Sequence, residues 1–294
     1  MDIRAILMGL AFAFMWSSAF TSARVIVEYA PPMGSLSLRF LISGVIGIGI
    51  AAMLGQSMRL NARQWRAVII FGICQNGLYL GMNFVAMQWV EASLAAIIAS
   101  TMPLLVAIAG WLVFGDRPKP LATFGLAAGI AGVFLIMGLR MTGGVSITGI
   151  VLCVIGVLSL TVATLAVRNA SSGGNVLMVV GLQMLVGSAV LAVPAFAFET
   201  WSVEWNWQLV VAFVYTTIVP GLLATFTWFL LVNRIGAVRA ATFHFLTPFF
   251  GVTVAALVLG EALGPLDIVG VAIVAAGILA VQLSKQPAPV PAKT

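Results

Sequence analysis

Apolar residues fill this chain in ten stretches, and short breaks containing proline, glycine or charge separate them. A helix needs about 20 mainly apolar residues to cross the hydrocarbon core of a bilayer. Because that core holds no water, each crossing segment must satisfy its own backbone hydrogen bonds. The pattern therefore predicts an all-α integral membrane protein with ten transmembrane helices, over residues 4–24, 34–54, 66–88, 92–114, 120–138, 147–167, 176–198, 207–232, 238–259 and 265–283.

Composition supports lipid as the main solvent of the chain. Hydrophobic residues make up 62% of the sequence and charged residues 7%, against about 25% charged residues in soluble domains. The net charge of +6 does not indicate nucleic-acid binding, because the basic residues stand singly in loops. Cys74 and Cys153 fall inside apolar segments, so we predict no disulfide, no metal site and no cofactor.

One block of sequence occurs twice. Residues 89–136 align without a gap with residues 234–281, at an offset of 145. The aligned pairs include Ala92 and Ala237, Pro103 and Pro248, Gly115 and Gly260, and Asp116 and Glu261. The chain is therefore predicted to contain one five-helix repeat in residues 1–138 and a second in 147–283, followed by a disordered cytoplasmic tail, 284–294.

Lys and Arg placement predicts the orientation, because basic residues concentrate in cytoplasmic loops. With the N-terminus inside, Arg24 and Arg140 are the only two basic residues in external loops, and Arg39 lies within a helix. Both termini are thus predicted to be cytoplasmic, in a bacterial-type inner membrane. The eleven basic residues on the inner side are Arg4, Arg59, Arg63, Arg66, Arg117, Lys119, Arg168, Arg234, Arg239, Lys285 and Lys293.

Loop charges further indicate that the two repeats are inverted. An odd number of helices per repeat places equivalent loops on opposite sides of the membrane. Arg117 and Lys119 lie in the predicted cytoplasmic loop, whereas Ala262 and Gly264 replace them in the external one. Inverted repeats of this kind are common in secondary transporters.

Several motifs resemble a known family. The segments VEASLAA and IGAVRAA are each followed by a mid-helix proline and then by FGDRP or LGEAL. With these motifs the chain resembles the drug/metabolite transporter superfamily, in particular its ten-helix exporters with two EamA-type repeats. The early segment FMWSSAFTSAR also resembles the first helix of the family. Within it, the chain is most similar to YddG-type exporters of aromatic amino acids. The resemblance implies a central cavity lined by helices 1, 3, 4, 6, 8 and 9, with helices 5 and 10 peripheral, and alternating access in the export direction.

Polar and aromatic residues within the spans are the candidates for that cavity. Gln75, Tyr79 and Asn83 share one face of helix 3. Such groups either bond a neighbouring helix or line a wet cavity, and aromatic rings either pack in the core or form cavity walls. The predicted cavity residues are Trp16, Ser17, Phe20, Gln75, Asn76, Tyr79, Asn83, Ser100, Thr101, Thr161, Thr164, Thr225, Trp228, Phe243 and His244.

Three further positions have predicted roles outside this set. Pro103 and Pro248 each remove a backbone hydrogen bond at equivalent positions, so they are predicted hinges or packing kinks. Arg39 lies about five residues inside helix 2, where it either extends to the lipid interface or faces the cavity mouth. Within the cavity set, His244 is the sole histidine, and its neutral ring is a predicted donor to a substrate carboxylate.

Small residues predict where helices approach closely. Gly125 and Gly129 in helix 5, with Ala272 and Ala276 in helix 10, fit a close helix pair or a contact with a partner subunit. The oligomeric state stays open, with a monomer favoured.

The sequence favours export of small amphiphilic metabolites, aromatic or neutral amino acids first, by facilitated uniport. An aromatic cavity with neutral hydrogen-bonding groups suits a zwitterion. Export of lipophilic cations is the main alternative, although no acidic residue lies mid-span. Proton-coupled antiport, nucleotide-sugar exchange and a membrane-embedded enzyme are less favoured.

Overall fold

The computed structural model describes residues 3–142, 144, 146–166 and 174–284, and the regular elements in these ranges are all helical. Nine helices there are long and apolar enough to cross a membrane, and one more is apolar over Pro120–Ile136. The predictions for Arg168, Lys285, Lys293 and the tail concern residues outside the described ranges. The ten helices are α1 (Ile3–Tyr29), α2 (Pro32–Met53), α3 (Ala62–Ala86), α4 (Ala92–Phe114), α5 (Pro120–Thr142), α6 (Ile147–Ala166), α7 (Val176–Phe198), α8 (Trp207–Val232), α9 (Arg239–Leu259) and α10 (Pro265–Ser284).

Helix α1 extends five residues beyond its predicted end at residue 24. Arg24 therefore lies inside the helix, and its placement in an external loop is wrong. Its guanidinium donates to the carbonyl of Met87 and lies 3.4 Å from the Glu28 carboxylate. Because both partners stabilise the Arg24 side chain inside the protein, α1 continues past this basic residue.

Contacts between loops and helix starts show that the repeats are inverted. The backbone N–H groups of Met33 and Gly34, at the start of α2, donate to the Glu199 carboxylate at the end of α7 (2.7 and 2.8 Å). At the opposite end of the same pair, the N–H of Met178 donates to Gln56 Oε1 (3.1 Å). The equivalent helices α2 and α7 therefore run antiparallel, as the predicted inversion requires.

The two ends of the bundle carry opposite charge. The end that holds the N-terminus, here called the basic end, exposes Arg4, Arg59, Arg63, Arg66, Arg117, Lys119, Arg234 and Arg239. The other end, here called the acidic end, holds Glu28, Glu91, Glu199, Glu204, Glu261 and Asp267.

Glycine allows α5 and α10 to touch through their backbones. A Cβ added at Gly125 would lie 2.7 Å from the carbonyl oxygen of Gly277, and one added at Gly277 would lie 2.6 Å from that of Gly125. The predicted contact of α5 with α10 is present. Ala272 and Ala276 are exposed and take no part in this contact, which Gly277 forms instead. The alternative for these two alanines, a contact with a partner subunit, stays a prediction.

Candidate functional site

Two wide helical turns place polar residues at mid-bundle. Helix α3 is π-helical over Gly72–Leu80, and α8 is π-helical over Thr217–Leu223. The two segments begin 145 residues apart, at equivalent positions of the repeats. A π turn contains an extra residue and shifts the side chains that follow it, and such turns are frequent at functional sites. In α3 this segment carries Gln75, Asn76 and Tyr79.

Helices α4 and α9 are interrupted at equivalent positions. The first α-helical part of α4 ends at Ser100 and the second begins at Met102, with Pro103 in its first turn. In α9 a 3₁₀ segment, Thr242–Leu246, precedes a new α-helical part in which Pro248 occupies the first turn. Since proline cannot donate a backbone hydrogen bond, both restarts follow from the sequence.

These four irregular helices surround a cavity of about 730 Å³, here called the main cavity. Its wall begins at the basic end with Gln64, Val176 and Val232 and ends at mid-bundle with Trp16 and Tyr79. Helices α1, α3, α4, α6, α8 and α9 contribute to it, as the resemblance implied. Helix α7 also contributes, and α10 adds one residue.

Ten of the predicted site residues line the main cavity. They come from both repeats and from six helices. They are Trp16, Gln75, Asn76, Tyr79, Ser100, Pro103, Thr164, Thr225, Trp228 and His244.

Five other predicted residues do not line either of the two cavities described here. The Ser17, Thr101 and Thr161 hydroxyls donate to carbonyls of their own helices, at Ala13, Ile98 and Val157 (2.6–2.8 Å). Phe243 packs against Gly9, where a Cβ would meet its ring at 2.3 Å. Pro248 is buried behind the wall. Serine and threonine in an apolar helix commonly bond to the preceding turn, so their polarity alone did not place them in a cavity.

Residues that the sequence analysis did not select complete the wall. Phe12, Gln64, Gln183, Thr247 and Gln282 line the main cavity. The available signal was polarity within an apolar span, which Gln183 and Gln282 share with Gln75. Sequence spacing does not show which face of α7 or α10 turns inward. Polarity alone therefore could not predict that Gln183 and Gln282 line the main cavity.

An aromatic cluster forms one side of the main cavity. The Phe12 ring centroid lies 4.7 Å from that of Trp228 and 5.4 Å from that of His244, and the Phe12 and His244 rings meet edge to face. Trp16 lies 5.9 Å from Phe12. Aromatic pairs at these distances attract one another beyond their buried area. The cluster therefore offers a preformed surface for a flat apolar group.

The polar groups of the wall are neutral. No Asp, Glu, Lys or Arg occurs among the lining residues in the part of the chain that the structure describes. The Ser100, Thr164 and Thr225 hydroxyls donate to carbonyls of their own helices (2.6–2.8 Å). This leaves their oxygen lone pairs as acceptors. The wall can thus bind donor and acceptor groups of a ligand without a fixed countercharge.

Packing closes the bundle between the main cavity and the acidic end. Helices α1 and α8 are joined there by a hydrogen bond between the Ser18 and Tyr215 hydroxyls and by one that Thr216 donates to Ser22, both 2.7 Å. A second cavity of about 50 Å³, here called the minor cavity, lies on this side. Its wall includes three predicted site residues that the main cavity lacks, Phe20, Arg39 and Asn83, and it shares Trp16 and Tyr79 with the main cavity.

The Glu261 carboxylate links the two repeats at the acidic end. The N–H groups of Ala92 and Ser93, at the start of α4, donate to Glu261 in the loop before α10 (2.7 and 3.0 Å). Glu261 thereby caps a helix of the other repeat.

We expect Glu261→Ala to lower the melting temperature of the detergent-solubilised protein by about 2–5 °C, since losing a helix cap costs about 0.5–2 kcal/mol. Exposed Glu204, in another loop of the same end, gives the matched control Glu204→Ala, which should leave the melting temperature unchanged. Equal shifts in both variants would show that the Glu261 cap has no special weight.

Comparison with known proteins agrees with this architecture. A solved protein crystal structure matches with a TM-score of 0.70 and 21% sequence identity, over 96% of this chain and 98% of that one. The uncharacterized transporter YvbV of Bacillus subtilis (strain 168) is 24% identical over 256 residues, 86% of this chain and 84% of its own. The aromatic amino acid exporter YddG of Ancylobacter novellus is 27% identical over 139 residues, 47% of this chain and 48% of its own.

The profile of the EamA-like transporter family matches residues 3–138 and 147–283. These two segments each hold five of the ten helices, and the irregular turns of α3, α4, α8 and α9 recur between them at a fixed offset. The chain belongs to the EamA-like transporter family and is a multi-pass membrane transporter.

Proposed function

We propose that this transporter exports amino acids with large apolar side chains, aromatic ones foremost, across the inner membrane. The observation that carries the proposal is the main cavity, which has an aromatic side and a neutral polar wall. A zwitterion has no net charge, so it needs no fixed counter-ion. Neutral amides and hydroxyls suit its two charged groups, while the aromatic cluster suits its side chain.

The charge at the two ends supports the orientation of the protein in the membrane. Eight exposed basic residues lie at the basic end, and basic residues concentrate on the cytoplasmic side. The basic end then faces the cytoplasm, with both termini on that side. The main cavity reaches that end and is closed toward the acidic end, so this conformation is open to the cytoplasm. The export direction rests on the likeness to the exporter YddG.

The interrupted helices support alternating access. Paired broken helices near the bilayer midplane mark the substrate site in many inverted-repeat transporters. Pro103 and Pro248 lie in the first turns of the second halves of α4 and α9, and in this proposal those halves pivot to open the acidic end. Because the main cavity wall holds no carboxylate in its described part, we propose movement down the substrate gradient without a proton relay.

The likeness to the aromatic amino acid exporter YddG, which covers 47% of this chain, supports the substrate class. A cation exporter would need a negative group for its substrate. The described wall offers none, which favours the zwitterion.

Purified protein in liposomes tests the proposal. Vesicles loaded with labelled phenylalanine, threonine or a quaternary ammonium compound are diluted into buffer, and release is compared with protein-free vesicles. We expect phenylalanine to leave fastest, and an imposed pH gradient to drive no uphill accumulation. No amino-acid release above protein-free vesicles, or faster release of the quaternary ammonium compound, would overturn the proposal.

A further inference from the structure

Arg39 occupies an unusual position for a cation. It lies in the apolar part of α2 and is 6% exposed, and it lines the minor cavity. Its Nε has no hydrogen-bond partner. The Phe40 ring, 5.1 Å from the guanidinium carbon, provides a cation–π contact. No carboxylate lines the minor cavity among the described residues.

A buried guanidinium without a carboxylate is costly to keep. Removing a charge from water costs several kcal/mol unless a counter-charge and hydrogen bonds compensate. Charged residues at membrane depth generally mark a functional pathway. Arginine retains its charge in proteins and presents its N–H donors in a flat fork that fits a carboxylate. Arg39 is therefore suited to an anionic group that arrives in the minor cavity.

Asn83 provides the opposite chemistry in the same cavity. It is 1% exposed, and its amide nitrogen donates to the Tyr79 carbonyl (2.7 Å). That bond fixes the orientation of the amide, because a carbonyl accepts only from the nitrogen side. The remaining oxygen, Oδ1, is buried without a partner. It is an acceptor available to a donor such as an ammonium group.

We propose that Arg39 and Asn83 form a head-group site for an α-amino acid, in which the guanidinium binds the carboxylate and Asn83 Oδ1 accepts from the ammonium group. This inference rests on the proposed function. It adds a second site, nearer the acidic end than the main cavity. The minor cavity, about 50 Å³, suits a head group and is too small for an aromatic side chain.

The position of the two cavities gives the site a place in transport. Trp16 and Tyr79 line both cavities, so they lie between them. A substrate moving from the main cavity toward the acidic end passes these rings. In the main cavity the substrate carboxylate contacts neutral polar groups. At the second site the Arg39 guanidinium takes their place.

Head-group analogues test the site. Phenylalaninamide lacks the carboxylate and 3-phenylpropionate lacks the ammonium group. Each flux is measured in liposomes as the excess over protein-free vesicles, with equal amounts of protein that elutes as a single folded peak. We expect Arg39→Gln to lower the ratio of phenylalanine flux to phenylalaninamide flux about tenfold or more. Arg39→Lys should give an intermediate ratio, because it keeps the charge without the fork.

Asn83→Ala provides the complementary measurement. It should lower the ratio of phenylalanine flux to 3-phenylpropionate flux several-fold. If the ratio for either variant stays within twofold of wild type, or all fluxes fall together, the two residues have structural roles and the proposal is wrong.

Chloride is the other anion that Arg39 could hold. We expect that replacing chloride with gluconate leaves the wild-type phenylalanine flux unchanged. A flux that requires chloride and loses this requirement in Arg39→Gln would assign the site to an inorganic ion and overturn the proposal. If the wild-type protein releases no amino acid at all, the proposed function itself is wrong. If the wild-type protein releases phenylalanine and Arg39→Gln keeps the wild-type flux ratio, only the head-group site is wrong.

Discussion

Replacing Gly277 by valine is expected to lower the melting temperature of the detergent-solubilised protein by roughly 6–12 °C. A Cβ at this position would lie 2.6 Å from both the Gly125 carbonyl oxygen and the Gly129 backbone nitrogen. These are backbone atoms, so no side-chain rotation relieves the contact, and α5 and α10 must separate. The measurement is thermal unfolding followed by intrinsic fluorescence.

Gly49 in α2 provides the matched control for this substitution. A Cβ added there meets nothing within 4 Å. Gly49→Val should therefore leave the melting temperature within about 2 °C of wild type, since surface substitutions seldom exceed 0.5 kcal/mol. If both variants lose the same stability, the cost comes from valine in a helix and not from the α5–α10 contact.

Trp228→Ala is expected to raise the KM for phenylalanine release about 10- to 100-fold. The indole lines the main cavity and lies 4.7 Å from the Phe12 ring and 5.5 Å from the His244 ring. Losing one large apolar surface for the substrate side chain costs about 1.5–3 kcal/mol, and each 1.4 kcal/mol is about tenfold in affinity. Tyr79 is a less informative target, because it is 1% exposed and its loss would also weaken the core.

Phe226 lies two residues earlier in α8 and is 48% exposed on the outside of the bundle. Phe226→Ala should leave the KM within twofold of wild type, and the yields of both variants should match that of the wild-type protein. An unchanged KM in Trp228→Ala would mean that the aromatic cluster does not contact the substrate.

The sequence predicted the ten spans well, because a bilayer permits few ways to place 20 apolar residues. It predicted the helix ends less well. Arg24 seemed to mark an end, yet its contacts with Met87 and Glu28 keep it inside α1. The contact with Met87 joins residues distant in sequence, and hydrophobic patterning does not record such a contact.

The residues that line the main cavity were predicted only in part, because the sequence pattern does not record which polar groups bond within the protein. Polarity within a span selected Gln75 and His244, both of which line the main cavity. It also selected Thr161, whose hydroxyl bonds to its own helix. Asn83 was grouped with Gln75 by a regular period of 3.6 residues. Asn83 lies beyond Tyr79, nearer the acidic end of α3, and lines the minor cavity instead.

The same π turns carry information about the origin of the chain. A π turn arises when one residue is inserted into an α-helix without changing its ends, and each α-helical residue corresponds to about 100° of rotation. The turns at Gly72 and Thr217 begin at the offset of the repeat. One insertion before the gene duplicated explains both, whereas two later insertions would have to coincide in position.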